Sequence, residues 1–186
     1  VDSRDLVQLE NAVDMCADSP SFPENDELLE LAQRTMEAIA LIEHIDTACD
    51  SDYDIGGADS FAELEALESV AREIVEDHKE AAADAQPGSP AATVDPELIA
   101  AVSRIQMRFK CAEAMRLVQA AARSGVPVSL KQALENADGD IISSASADQP
   151  SIKDFFDEMK KLSLALTEAD ERLASLLSTV GKGSND

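Results

Sequence analysis

The acidic stretch from residue 52 to residue 63 carries side chains that could hold a metal ion. Its carboxylate and hydroxyl oxygens stand at the first, third, ninth and twelfth positions of a twelve-residue span. Calcium takes six to eight oxygen ligands, and a glutamate at the last position can supply two of them. We therefore expect calcium to be the cation that this span would bind. The candidate ligands are Asp52, Asp54, Ser60 and Glu63.

This span resembles the calcium-binding loop of EF-hand proteins. Gly57 fills the sixth position, where that loop needs its glycine for a sharp turn, and helices are predicted on both sides. Two departures favour a plain acidic connector between helices. Gly56 stands at the fifth position, which normally supplies a side-chain oxygen, and Asp59 stands at the usually apolar eighth position. We expect no cofactor, with calcium as the alternative.

The two histidines give little support for catalysis. His44 lies in an apolar stretch and is expected to be partly buried, whereas His78 lies in the charged segment EDHKE and is expected to be solvated. The chain has no P-loop, no GxGxxG and no HExxH pattern. Paired acids occur throughout, so none is distinguished as a general acid and base. We therefore expect that this chain is not an enzyme. An enzyme without a recognisable motif is the third of the functional interpretations.

The three cysteines predict a reducing environment. Cys16, Cys49 and Cys111 are far apart and show neither a CxxC spacing nor an even number. That arrangement argues against a disulfide framework and against a zinc site. Each lies among apolar residues at helical spacing, so we expect buried structural thiols in an intracellular, cytoplasmic protein.

Four bases on one predicted helix, residues 97–123, are candidate partner-binding residues. Ile105-Gln106 followed by Lys110 resembles a calmodulin-type IQ motif, although Cys111 replaces its glycine and the final base is displaced. The resemblance implies a calmodulin-like partner. The simpler interpretation, which we favour, is that these bases face the acids of residues 1–100. The four bases are Arg104, Arg108, Lys110 and Arg116.

The charge is unevenly distributed along the chain. Residues 1–100 hold 26 acids and 4 bases, a net of −22, while residues 101–186 hold 12 acids and 11 bases, a net of −1. These values add to the total of −23. A surface this acidic repels phosphate backbones and anionic membranes. We expect a basic protein as partner, with no nucleic acid bound, and no apolar run is long enough to span a membrane.

Composition and periodicity predict an all-α fold. Aromatic residues make up only 3% of the chain, and Ala, Leu and Glu, which favour helices, are abundant. Apolar residues recur every three or four positions over five to six segments, which predicts an antiparallel helical bundle or a short α-solenoid. The expected parts are an acidic helical part at 1–84, a linker or loop at 85–95, a helical part at 96–180 and a tail at 181–186. We expect 1–84 and 96–180 to pack as one domain, with a mobile loop at 137–150.

Two helical hairpins echo each other in the sequence. One contains Leu9, Ala12 and Cys16 before a proline-bearing turn, and the other contains Leu117 and Ala121 before a Gly/Pro turn. These pairs resemble the helical-hairpin units of armadillo-like and other α-solenoid proteins, including large cytoskeletal and ciliary scaffolds. The resemblance covers about half of the chain, and a plain bundle is the alternative.

The function expected from these features is protein binding. The first interpretation is a non-enzymatic interaction or scaffold domain of a larger intracellular protein, with a cytoskeletal or ciliary location implied by the resemblance. The first residue is Val1 and not Met, which favours a piece of a larger protein. The second interpretation is a cation-responsive regulatory module, linked either to calcium or to calmodulin.

Overall fold

The computed structural model describes residues 8, 11, 13–15, 27–50, 58–86, 88–137 and 139–182. The predicted ligands Asp52 and Asp54 lie outside these residues, as does Cys16. The described residues form helices and turns and include no strand, which confirms the all-α prediction. The α-helices are α1 (Glu27–Ala48), α2 (Ala58–Asp84), α3 (Pro96–Ser124), α4 (Pro127–Asn136), α5 (Gly139–Asp148) and α6 (Pro150–Lys182).

The chain divides into two compact units, and the boundaries fall inside α2 and α3. The first unit comprises residues 1–53 and 62–106, and the second comprises residues 54–61 and 107–186. The core of the first unit is aliphatic, because its helices place Leu, Ile, Val and Ala on one face at steps of three, four or seven residues. Its buried residues include Leu41, Ile42, Ile45, Leu64, Ala71, Val75, Leu98, Ala101, Val102 and Ile105.

Residues 88–95 of the predicted linker lead into α3 within the first unit. Gly88 adopts a positive φ of 89°, a conformation that glycine tolerates without a steric penalty. Ser89 then caps a short 3₁₀ turn by accepting a hydrogen bond from the Ala91 amide at 3.2 Å. Asp95 caps α3, because its carboxylate accepts a hydrogen bond from the Glu97 amide at 2.8 Å.

In the second unit, α4 and α5 pack against α6. Gly125 follows α3 with a φ of 67°, a left-handed conformation that often ends helices at a glycine. Within the described part of the chain, no helix is long and apolar enough to cross a membrane. The buried residues of this unit include Phe61, Cys111, Ala112, Met115, Val118, Leu130, Ile152 and Phe156.

The prediction of a mobile loop at 137–150 is wrong. Residues 139–148 form α5, although glycine, serine and aspartate in this segment disfavour a helix interior. Ile141 and Ile142 are half-buried on the helix, which packs against α6. Tertiary packing of these two side chains therefore outweighs the weak local propensity.

Neighbouring positions on α3 should differ in their contribution to stability. Leu98 is fully buried, whereas Ile99 is 44% exposed. We expect Leu98→Ala to lower the free energy of unfolding by about 2–5 kcal/mol, because it removes buried methyl groups and leaves a cavity. Ile99→Ala should change it by about 0.5 kcal/mol or less. Urea denaturation followed by circular dichroism measures both, and equal losses would contradict this packing.

Candidate functional site

An open groove with a volume of about 550 Å³ lies between α1 and α2 in the first unit. The residues that line it recur every three or four positions on each helix, so each helix contributes one face. Leu41 forms part of the buried floor, while Val70 is 48% exposed at the side of the groove. The lining residues are Glu37, Ala40, Leu41 and His44 on α1, and Glu63, Ala66, Leu67, Val70 and Ile74 on α2.

The floor of the groove is apolar and its border is polar. Alanine, leucine, valine and isoleucine side chains make up most of the lining, and the polar ones are Glu37, His44 and Glu63. All three polar residues are exposed. An apolar depression with a few polar groups at its margin is the usual form of a binding site in proteins.

The helices on both sides of the groove are strongly acidic. α1 carries five acids and one Lys or Arg, and α2 carries nine acids and two such bases. Both bases of α2 pair with acids of their own helix: Arg72 lies 3.4 Å from Glu68, and Lys79 lies 2.7 Å from Glu76. These pairs are exposed and local, so they neutralise little of the negative potential around the groove.

Two of the predicted calcium ligands belong to α2. Ser60 lies in the first turn of the helix, and Glu63 lies at the border of the groove. In an EF-hand loop the backbone carbonyl of position seven binds calcium. That position is Ala58, where α2 already begins, so its carbonyl is directed along the helix toward the amide of Ala62. This placement favours the helix-connector interpretation of the span. No group of three or more potential metal-binding side chains occurs among the described residues.

The four predicted partner-binding bases lie in different environments. Arg104 forms an ion pair with Asp46 of α1 at 2.6 Å, within the first unit. Arg108 is buried, whereas Lys110 and Arg116 are exposed. The guanidinium of Arg116 lies 4.0 Å from the centre of the Phe61 ring, a cation–π contact within the second unit. The bases therefore do not form one exposed face.

The resemblance to a calmodulin-binding motif meets a steric obstacle. Ile105, the first residue of the motif, is fully buried in the first unit, and Gln106 is half-buried. A partner that needs the isoleucine side chain would have to open this unit first. Arg104 instead pairs with Asp46, which agrees for this one base with the favoured interpretation that the bases face acids of residues 1–100.

The expectations for the two histidines are wrong, and their environments are reversed. His44 is exposed at the border of the groove. His78 is 9% exposed, and its Nε2 atom has no hydrogen-bond partner among the described residues. Burial lowers the pKa of His78 below 6.5, and the charge of Arg34 lowers it further, while Glu37, Asp77 and Asp95 act in the opposite direction. Neutral His78 is therefore a core residue.

Cys111 confirms the expectation of a buried structural thiol. Its side chain is fully buried, and burial raises its pKa to about 11 although the charge of Arg108 opposes this shift. The thiol is therefore protonated at neutral pH and is a poor nucleophile. Cys49 is only half-buried, so it departs from that expectation.

The groove itself is the feature that the sequence interpretation missed. α2 carries a second apolar stripe, Ala66, Leu67, Val70 and Ile74, beside the stripe that enters the core. The density of apolar residues on α1 indicates burial on more than one side, and that density was the available signal. The sequence alone does not indicate that this second face is left uncovered.

The chain matches no protein-family model, no curated protein and no solved structure. The resemblance to α-solenoid hairpins consequently stays a prediction.

Calcium should bind the 52–63 span weakly or not at all. Titration calorimetry should detect no site with a dissociation constant below about 10⁻⁴ M, because the fifth position lacks a side-chain oxygen. Glu63→Gln should leave the calorimetric trace unchanged. Micromolar binding that Glu63→Gln abolishes would instead support the regulatory interpretation.

Protonation of His78 should destabilise the fold. Since its pKa is lowered from 6.5 in the folded state, the unfolded chain binds the proton more tightly. The contribution of neutral His78 to stability is therefore lost as the pH falls from 6.5 toward the folded pKa. Urea denaturation of wild type and His78→Gln over this pH range should show the wild type losing stability relative to the variant. A relative gain by the wild type would contradict the assignment.

Proposed function

We propose that this chain is a non-enzymatic protein-interaction domain whose α1–α2 groove receives the apolar face of a basic amphipathic helix. One observation carries the proposal: an apolar groove lies open between two helices that together hold fourteen acids and three bases. An apolar depression with a few polar groups at its margin is a common form of binding site.

The shape of the groove suits a helix. Along α2 the lining runs from Glu63 to Ile74, a distance of about 16 Å at 1.5 Å per residue. A partner helix of about three turns covers that length and presents apolar side chains at every third or fourth position. Helices that bind in grooves use this spacing.

The charge around the groove selects the polar face of that helix. Glu37 and Glu63 stand on opposite sides of the groove, one on each helix. Lysine or arginine beside the apolar stripe of the partner would lie near these carboxylates, whereas an acidic partner would be repelled. Complementary charge of this kind contributes mainly to specificity and to the rate of association.

The wider setting follows from the same chemistry. A domain that binds basic protein segments and lacks a recognisable catalytic motif fits a scaffold or adaptor within a larger cytoplasmic protein. The helical-hairpin resemblance supports a cytoskeletal or ciliary setting. A calmodulin-linked role has less support, because Ile105 is buried.

Fluorescence anisotropy tests the proposal with a labelled Leu/Lys amphipathic peptide of about 18 residues. Glu37→Gln/Glu63→Gln should weaken its binding about fivefold at low salt, because two carboxylates at the groove are neutralised. Glu43→Gln/Glu65→Gln is the matched control, since it removes the same charge from exposed positions on the same helices outside the groove.

The control separates a local site from general attraction to an acidic protein. Equal weakening by both pairs of substitutions would show that only net charge matters, and the proposed groove would then be wrong. Replacing Val70 by Lys should weaken binding further through loss of apolar contact and charge repulsion, while Val128→Lys, at another exposed valine, should leave binding at the wild-type level.

A further inference from the structure

The last helix carries a continuous apolar seam over about three and a half heptads. The members alternate in steps of three and four residues, which is the spacing of the a and d positions in coiled coils. On a helix this spacing keeps all of the members on one narrow face. The α6 seam consists of Ile152, Phe155, Met159, Leu162, Leu166, Ala169, Leu173 and Leu176.

The first residues of this seam are partly covered by the chain itself. Ile152 is buried, and Phe155 and Met159 are half-buried, whereas Leu162 is 36% exposed. α4 and α5 pack against α6, where Leu134 and Ile142 line the same pocket as Phe156, which stands next to the seam. The second unit therefore covers the start of the seam only in part.

The C-terminal half of the same seam is uncovered. Ser163 is buried, but none of the sixteen residues from Leu164 to Thr179 is. Leu173 and Leu176 are 58% and 62% exposed. This segment extends about 24 Å, and in proteins most of the stability of a helix comes from packing of its apolar face. Its apolar seam is what a partner would cover.

The distribution of charge indicates which partner fits. Two copies of a chain with a net charge of −23 repel each other over most of their surfaces. The uncovered segment is an exception, since residues 173–180, LASLLSTV, carry no charge. Residues 160–172 contain three bases and three acids. A second copy can therefore approach here without the repulsion present elsewhere.

We infer that the C-terminal half of α6 pairs with α6 of a second copy of this chain, forming a short two-stranded coiled coil. The seam presents leucines to leucines across the pair, so it is complementary to itself. A basic partner would gain little from this neutral surface and would be drawn instead to α1 and α2. Self-association at α6 and peptide binding at the groove are separate properties, and either can fail alone.

Sedimentation velocity over a range of protein concentrations tests the inference on the full chain. Wild type should shift from the mass of a monomer, 19.8 kDa, toward twice that value as concentration rises. Leu173→Lys/Leu176→Lys should weaken the association at least about tenfold, because charged side chains would enter the apolar seam. Circular dichroism should show that the variant retains its fold, since both residues are exposed.

The matched control is Leu164→Lys/Ser178→Lys, which adds the same two charges to exposed positions of the same helix outside the seam. This variant should dimerise like wild type. Both variants make the acidic chain less negative and reduce overall repulsion, so weaker association of the seam variant cannot come from net charge. A wild type that stays monomeric at all concentrations, or equal loss in both variants, would overturn the inference.

Discussion

Helices α1 and α2 carry fourteen carboxylates and also a large part of the aliphatic core. To fold, the first unit must bury the aliphatic side chains of these helices while it keeps their carboxylates in water. Burying one Leu or Ile side chain stabilises a fold by about 1.5–3 kcal/mol. An exposed ion pair such as Arg104–Asp46 contributes about 0.2–1 kcal/mol, because solvent screens it. Burial of the core therefore supplies most of the stability that holds the acidic helices together, and the ion pairs contribute little to that stability.

This balance explains why the groove has an acidic border. Carboxylates must face water, and eight of the nine acids on α2 are exposed, including Glu63 at the border of the groove. One stripe of α2, with Leu64, Ala71 and Val75, enters the core. The second apolar stripe of α2 lies between the core and the acids. Where no other part of the chain covers this stripe, carboxylates lie next to it. An apolar groove with negative margins follows from packing two stripes on one acidic helix.

Local signals in the sequence predict the helices and several of their ends. Asp95 and Gly125 act at the ends of α3 through backbone hydrogen bonds and a positive φ, which depend on few neighbours. Burial is harder to predict from neighbours in sequence. His78 stands seven residues after Ala71 and three after Val75, on the core stripe, although its adjacent residues are charged. His44 stands three residues after the buried Leu41, yet it is exposed. The helical period therefore explains the burial of His78 but does not by itself explain the exposure of His44.

What covers an apolar face is a separate question from whether the face exists. On α6 the same spacing runs from Ile152 to Leu176, yet Ile152 is buried while Leu173 and Leu176 are exposed. The difference arises because α4 and α5 are ten residues each, about 15 Å long, while α6 is more than three times that length. α4 and α5 reach only part of its seam. The lengths of neighbouring helices, and not the pattern on α6, therefore decide where the seam stays open to a further helix.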